Sequence, residues 1–267
     1  MTHTLVTFHA HPDDETIATG GAMARAAADG HRVVLVVATR GELGEVDDGV
    51  LEDDEALGDR RVAETAHAAE ILGVARLEFL GYHDSGMMGE ATNDRADCFW
   101  SADVEEAAER LAAILREEAA DVLTVYDDHG VYGHPDHIQV HRVGVRAGEL
   151  AGTPVVYEAT MSRDHIQHML RDNPDGIPEG IERPDPGEFD EFGTPEALIT
   201  TKVDVRAFTD RKRAAMAAHE SQIAESHFFL AMPTDLFREA FGYEWFIRRG
   251  AAPSTREADL FEAVAVS

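Results

Sequence analysis

Short apolar runs alternate with alanine-rich, amphipathic stretches along this chain. Leu5-Val6-Thr7-Phe8 and Val33 to Ala38 are continuous and largely β-branched, the pattern of strands buried on both faces of a parallel sheet. Between them, Ile17 to Asp29 predicts a helix stopped by Gly30, so strand, helix and strand form a right-handed βαβ unit. Arg60 to Leu72 predicts a second helix ending at Gly73, and Leu77 to Leu80 a short strand. Asp103 to Ala119 predicts a long helix with Val104, Ala107, Ala108, Leu111, Ile114 and Leu115 on one face. Val122 to Tyr126 is a fourth strand, His137 to Leu150 the helix after it, and Pro154 to Tyr157 a fifth strand.

The periodicity then weakens. Asp172 to Pro195 is rich in Pro, Gly, Asp and Glu, and a loop of this length in a compact domain is usually functional or mobile. It reads equally as a cover over a substrate cleft and as a solvated excursion. Leu198 to Val205 and Tyr243 to Ile247 predict further strands, with a helix from Phe208 to His219 between them and a short docked helix after Ala251. The expectation is one α/β domain over 1–267, with a mostly parallel sheet flanked by helices. Its core covers about 1–160, a smaller C-terminal α/β portion about 161–250, and a tail 251–267.

Composition narrows the function. The formal charge of −29 argues against nucleic acid and anionic lipid as partners. No apolar run has the length of a membrane span and no basic-then-apolar segment opens the chain, so a cytoplasmic protein is expected. Cys98 is the only cysteine, which excludes an internal disulfide and a cysteine-based metal site. It stands between Asp97 and Phe99 with no basic neighbour to activate it, and so reads as a packed or merely exposed thiol.

The chemistry concentrates in a tripeptide that occurs twice. His-Pro-Asp appears in Ala10-His11-Pro12-Asp13-Asp14-Glu15, after the first strand, and in Tyr132-Gly133-His134-Pro135-Asp136-His137, after the fourth. Strand ends are where an open α/β sheet builds its binding crevice. Two histidines and one carboxylate with an open fourth position describe a catalytic zinc site. His11 and Asp14 are spaced to point at one centre, and His137 can supply the third ligand. Asp13 is then free to take a proton from a water activated at the metal. Three adjacent acids are costly unless a cation or the following helix N-terminus compensates them. A histidinium at His134 can donate to a developing oxyanion, Asp136 can hold an imidazole in the needed tautomer, and the Tyr132 hydroxyl can reach the same space.

These paired motifs resemble the PIG-L (LmbE-like) zinc-dependent N-deacetylases, over the chain up to about Arg248. The resemblance implies a Rossmann-like fold, Zn²⁺ held by His11, Asp14 and His137, and a small N-acylated substrate. It implies Asp13 as general base and acid to the leaving amine, His134 as electrostatic stabiliser and Asp136 as the partner that orients His134. A homo-oligomer is compatible with it. Within the family, Asp127 to His134 is similar to the actinobacterial branch around mycothiol metabolism, with Val131 where a glycine is usual and Ala18 where the conjugate amidases carry a lysine.

Arg61 to Glu64 and Asp84 to Met87 match substrate-contacting stretches of that branch, which makes Arg61 and Asp84 substrate-binding candidates. An Arg61–Glu64 ion pair and a turn acid at Asp84 are the alternatives. Arg40 and Glu42, after the second strand, are further candidates. His219 and the His227-Phe228 pair read as helix-end packing, with His219 also a candidate for the pocket wall.

The donor set accepts Fe²⁺, Co²⁺ and Ni²⁺ as well as Zn²⁺. The reading is therefore a metal-dependent hydrolase that removes an acyl group, in the first instance acetyl, from the amide nitrogen of a small sugar-like molecule. A conjugate-type amidase and a non-catalytic metal or sugar binder are the alternatives. A dinucleotide oxidoreductase needs a glycine-rich turn where this chain has three acids.

Overall fold

A computed structural model describes residues 1–47, 49–172, 192–224 and 228–264. In chain order the elements are β1 (Thr4–His9), α1 (Asp14–Ala18), α2 (Gly20–Ala28), β2 (Arg32–Thr39), α3 (Leu57–Leu72) and β3 (Arg76–Tyr82). There follow α4 (Val104–Glu117), β4 (Val122–Tyr126), a one-turn α5 (Gly130–Gly133), α6 (Pro135–Ala151), β5 (Val155–Thr160) and α7 (Arg163–Asp172). The chain continues with β6 (Thr201–Asp204), α8 (Thr209–Ala217), α9 (Phe228–Ala231), α10 (Thr234–Phe241) and β7 (Tyr243–Arg248).

Seven strands form one sheet in the order β3-β2-β1-β4-β5-β7-β6. The first five are parallel, and β7 runs antiparallel to both β5 and β6. Alternate side chains feed two cores, as strand geometry requires. Val6, Phe8, Val34, Val36, Leu123 and Val125 meet α4 and α6 on one face. Leu5, Val33, Val122 and Val155 meet α2, α3 and α8 on the other. Each fully buried aliphatic side chain contributes roughly 1.5–3 kcal/mol. Gly144 lets α6 lie directly on β4, since a Cβ there would come within 2.2 Å of Val125 Cγ1.

The order places β1 beside β4, with β2 on one flank and β5 on the other, and both strands end at the same sheet edge. This is the switch point where the crossovers diverge, and it leaves a crevice at the strand ends. Both His-Pro-Asp segments emerge there.

Several expectations change. The helix read from Ile17 to Asp29 is two helices, broken at Thr19 (φ −136°, ψ 6°). The break has a tertiary cause: Gly21 and Ala22 donate their N–H groups to the Glu244 carboxylate of β7 at 2.7 and 2.8 Å. Lys212 of α8 neutralises that carboxylate at 2.6 Å, and both side chains are buried. The strand read from Leu198 to Val205 shortens to β6.

The expected tail helix is absent from the described residues. Instead the segment pairs with β6: Lys202 N–H donates to the Glu257 carbonyl and Glu257 N–H to the Thr200 carbonyl, while the Glu257 side chain accepts from Tyr157, Thr201 and Arg248. α7, α9 and α10 have no counterpart in the sequence reading. Residues 173–191, most of the expected loop, lie outside the described residues, as does His227. No described helix is long and apolar enough to cross a membrane.

Removing one partner of a buried ion pair costs about 3–5 kcal/mol, because the other charge stays buried alone. Glu244→Ala, which also strips the acceptor from two α2 N–H groups, is expected to lower the unfolding free energy by about that amount. Urea denaturation followed by far-UV circular dichroism measures it.

Candidate active site

The β1 strand ends at His9, and the chain turns through Ala10 to Asp13 before α1 begins. Asp13 takes a left-handed conformation, φ 97° and ψ −37°, which costs a non-glycine residue of order 1–3 kcal/mol. The turn is held from all sides. Asp13 N–H donates to Glu15 Oε2 at 2.9 Å, and its carbonyl accepts Thr16 N–H at 2.9 Å and Thr16 Oγ1 at 2.7 Å. Arg61 reaches over from α3, donating to the carbonyls of Pro12 and Gly41, and its Nη2 lies 3.4 Å from Asp13 Oδ2.

The second turn is strained too. Val131 has φ 66° and ψ −50°, where a β-branched residue is an outlier. This is the position where the sequence departs from the usual glycine. The buried Asp127 holds it by accepting Val131 N–H at 2.7 Å, and Thr160 donates to the same carboxylate at 2.6 Å. The turn delivers Tyr132 and His134, and His134 then caps α6 by accepting Asp136 N–H on Nδ1 at 3.1 Å.

The two turns bring their imidazoles and carboxylates together. Asp14 Oδ2 lies 3.3 Å from His11 Nδ1 and 3.3 Å from His137 Nε2. His11, His134 and His137 each offer a ring nitrogen within 4.8 Å of the others, and His11, Asp84 and Asp136 form a second such group. Both ring nitrogens of His137 are buried and neither makes a well-aligned hydrogen bond among the described residues, although Nε2 lies against the Asp14 carboxylate. Buried polar atoms are rarely left so, and a poorly satisfied nitrogen facing a carboxylate and a second imidazole fits a divalent metal ion.

The surroundings sort these groups electrically. Burial pushes the Asp13 carboxyl up to about 6, against the pull of the Arg61 guanidinium. Burial also acts on Asp14 and Asp84, but the His137 and His11 imidazoles hold Asp14 well below the carboxylate range, and His11 does the same to Asp84. His11 is raised well above its ordinary value despite burial, because Asp136, Asp14 and Asp84 surround it. Burial, with His11 and His137 alongside, lowers His134 to about 4. A neutral His134 that accepts on Nδ1 carries its proton on Nε2.

Eight of the eleven expected site residues line one cavity of about 750 Å³: His11, Asp13, Asp14, Arg61, Asp84, Tyr132, His134 and His137. The other three do not. Asp136 is fully buried behind His11. Its carboxylate takes His11 Nε2 at 3.1 Å, Ser85 N–H at 2.9 Å and the Ser85 hydroxyl, so it orients His11, not His134. Arg40 pairs with Asp59 on the surface. Glu42 accepts Asp84 N–H at 3.1 Å and steadies that residue from behind.

Two alternatives are settled by partners. Glu64 takes the Ser221 N–H and hydroxyl rather than Arg61, and His219 lies fully buried behind Glu15 instead of on the cavity wall. The sequence reading missed His9, which links Tyr126 and Thr19 beneath the site while Tyr126 stacks on His137 at 4.4 Å. It also missed the far wall, where Met161, Ile166, Phe192, Phe229, Met232 and Phe241 face the cavity.

An open α/β sheet with an imidazole–carboxylate cluster at its switch point is the architecture of a metal-dependent hydrolase. The model of the PIG-L family, described as GlcNAc-PI de-N-acetylase, matches residues 6–148, and the chain belongs to that family. It is 43% identical over 285 residues to the 1D-myo-inositol 2-acetamido-2-deoxy-alpha-D-glucopyranoside deacetylase of Acidothermus cellulolyticus, covering 100% of this chain and 97% of that one. It is 41% identical over 288 residues to the enzyme of the same name from Thermobifida fusca, covering 96% and 98%. Among solved structures it resembles the N,N'-diacetylchitobiose deacetylase of Pyrococcus horikoshii, with a TM-score of 0.58, 17% identity, and coverage of 92% and 83%.

The His137 nitrogens make the cluster testable. His11→Ala, Asp14→Ala and His137→Ala proteins are expected to lose bound divalent metal on dialysis, while Tyr132→Phe keeps it. Elemental analysis of the dialysed proteins reads the difference.

Proposed function

We propose that this chain is a Zn²⁺-dependent N-deacetylase that removes acetyl from the amide nitrogen of a 2-acetamido sugar joined to a small polyol. The observation that carries the reading is Asp13, a carboxylate facing the cavity directly beside the His11–Asp14–His137 cluster. The names of the full-length relatives support acetamido-glucosyl inositol as the substrate class.

Zinc held by His11, Asp14 and His137 would polarise the amide carbonyl and lower the pKa of an attacking water. The same donors accept Fe²⁺, Co²⁺ or Ni²⁺. Asp13 removes the proton from that water, and burial raises its basicity toward neutral pH, where a general base works best. It then returns the proton to the departing nitrogen, so the amide and water become an amine and a carboxylate.

His134 Nε2–H and the Tyr132 hydroxyl donate to the oxygen on which charge develops. Asp136 contributes through His11, which it fixes from below. Asp84 and Arg61 line the cavity and are the candidates for substrate contact, and the Arg61 guanidinium also favours the ionised form of Asp13.

Primary-amine release from N-acetylglucosamine, its inositol glycoside, chito-oligosaccharides and cysteine conjugates tests the reading. Zn²⁺-loaded protein should release most amine from the inositol glycoside. Asp13→Ala should retain the metal and lose about 10²–10⁴ in kcat, the usual worth of a positioned acid–base group. An Asp13→Ala protein as active as the unaltered one would remove that residue from the role.

A further inference from the structure

The Glu15 carboxylate is fully buried in the first turn of α1, where an apolar side chain would be cheaper. Among the described residues it has two partners. Oε2 accepts the Asp13 N–H at 2.9 Å, and Oε1 meets His219 Nε2 at 2.7 Å. His219 is itself fully buried, on the turn that follows α8, 204 residues away in sequence. That turn is pinned from a further direction, since Ser221 donates both its N–H and its hydroxyl to Glu64 of α3.

The arrangement converges on the two peptide groups that flank Asp13. Asp13 is strained at φ 97°, and only its surroundings keep it there. Thr16 fixes its carbonyl, Arg61 the preceding carbonyl, and Glu15 its N–H. The direction of the Asp13 carboxylate follows from that φ. A helix cap would serve α1 with a serine or an asparagine at Asp13, and it would require neither a buried acid nor a histidine from the C-terminal third. Neither Glu15 nor His219 lines the cavity.

We propose that Glu15 and His219 are positioning residues for the reaction: Glu15 holds the Asp13 peptide in its left-handed conformation, and His219 holds Glu15. This rests on Asp13 being the general base. Neither residue touches substrate. Both act through the aim of the Asp13 carboxylate, and a displacement of an ångström at such a group costs about a hundredfold in rate. Through this pair the turn after α8 becomes part of the proton-transfer machinery.

The test is a double-mutant cycle on metal-loaded protein. His219→Ala is made in the unaltered protein and in Asp13→Ala, whose residual rate is read at high enzyme concentration. His219→Ala is expected to lower kcat about ten- to hundredfold with KM and bound metal unchanged. In the Asp13→Ala background it should cause no further loss. His219→Gln, whose amide N–H₂ can still donate to Glu15, should recover most of the rate. Should His219→Ala not fold, His219→Asn, too short to reach Glu15, takes its place in the same cycle.

Full activity without the His219 side chain overturns the proposal. So does an equal fractional loss in both backgrounds, or a loss of metal that tracks the loss of rate. If Asp13→Ala alone keeps its full rate, the assignment of Asp13 falls instead, and the two failures are told apart by that single control.

Discussion

Negative charge packed where β1 and β4 end is the constraint around which this molecule is built. Asp13, Asp14, Glu15, Asp84 and Asp136 crowd one crevice, and all of them but Asp13 and Asp14 are buried outright. Such a group of carboxylates is tolerable only if each oxygen finds a donor or a cation. The neighbouring elements supply them: Arg61 from α3, His219 from beyond α8, the N–H groups of Leu43 and Gly86 for Asp84, and Ser85 for Asp136. His11 and His137 provide imidazoles against Asp14, and a divalent cation among them would complete the balance. The helices and loops around the sheet edge are thus selected as much for what they donate as for what they bury.

The same logic extends to the C-terminal third. Its elements are not an appendage to a nucleotide-binding-like core. β7 sends Glu244 back to the broken helix α1–α2 that follows the first motif, and α8 sends Lys212 to neutralise it. The turn after α8 reaches Glu15, while α7, α9 and α10 close the cavity with apolar side chains opposite the charged floor. One wall gathers the charged and polar groups, and the other presents apolar side chains to the same cavity.

How much of this was readable in the sequence follows from the range of the interactions. The five parallel strands and the motif residues are local patterns. His11 and Asp14 stand three apart after an apolar run, and His137 follows another, so their convergence required only that β1 and β4 be neighbours. The helix break at Thr19 was not readable, because alanine-rich sequence continues across it and its cause, Glu244, lies more than 220 residues away. The partner of Asp136 was misjudged for a similar reason: proximity in sequence suggested His134, whereas the fold delivers His11 from the other motif. The acids beside Asp13 were visible as an electrostatic problem, but the residues that solve it, Arg61 and His219, are brought in by α3 and the turn after α8. α7 was missed because its few apolar residues, Ile166, Met169 and Leu170, face the cavity among polar neighbours, and α10 because it is only eight residues long, although its Phe237 and Phe241 pack into a core with Met216 and Ile223.

The pairing of Glu257 with β6 has a consequence outside catalysis. β6 is the last strand of the sheet, and an unprotected last strand offers a row of free N–H and C=O groups to any other extended chain. Here the tail occupies part of that row, with Lys202 N–H and the Thr200 carbonyl already bonded to Glu257, and the Glu257 carboxylate clamped by Tyr157, Thr201 and Arg248. The opposite border, β3, carries the Arg76–Glu78 pair and a register shift between Val37 and Thr39 of its neighbour. Part of each margin of the sheet is thus occupied, charged or irregular, which makes both poorer templates for strand addition than bare edges would be.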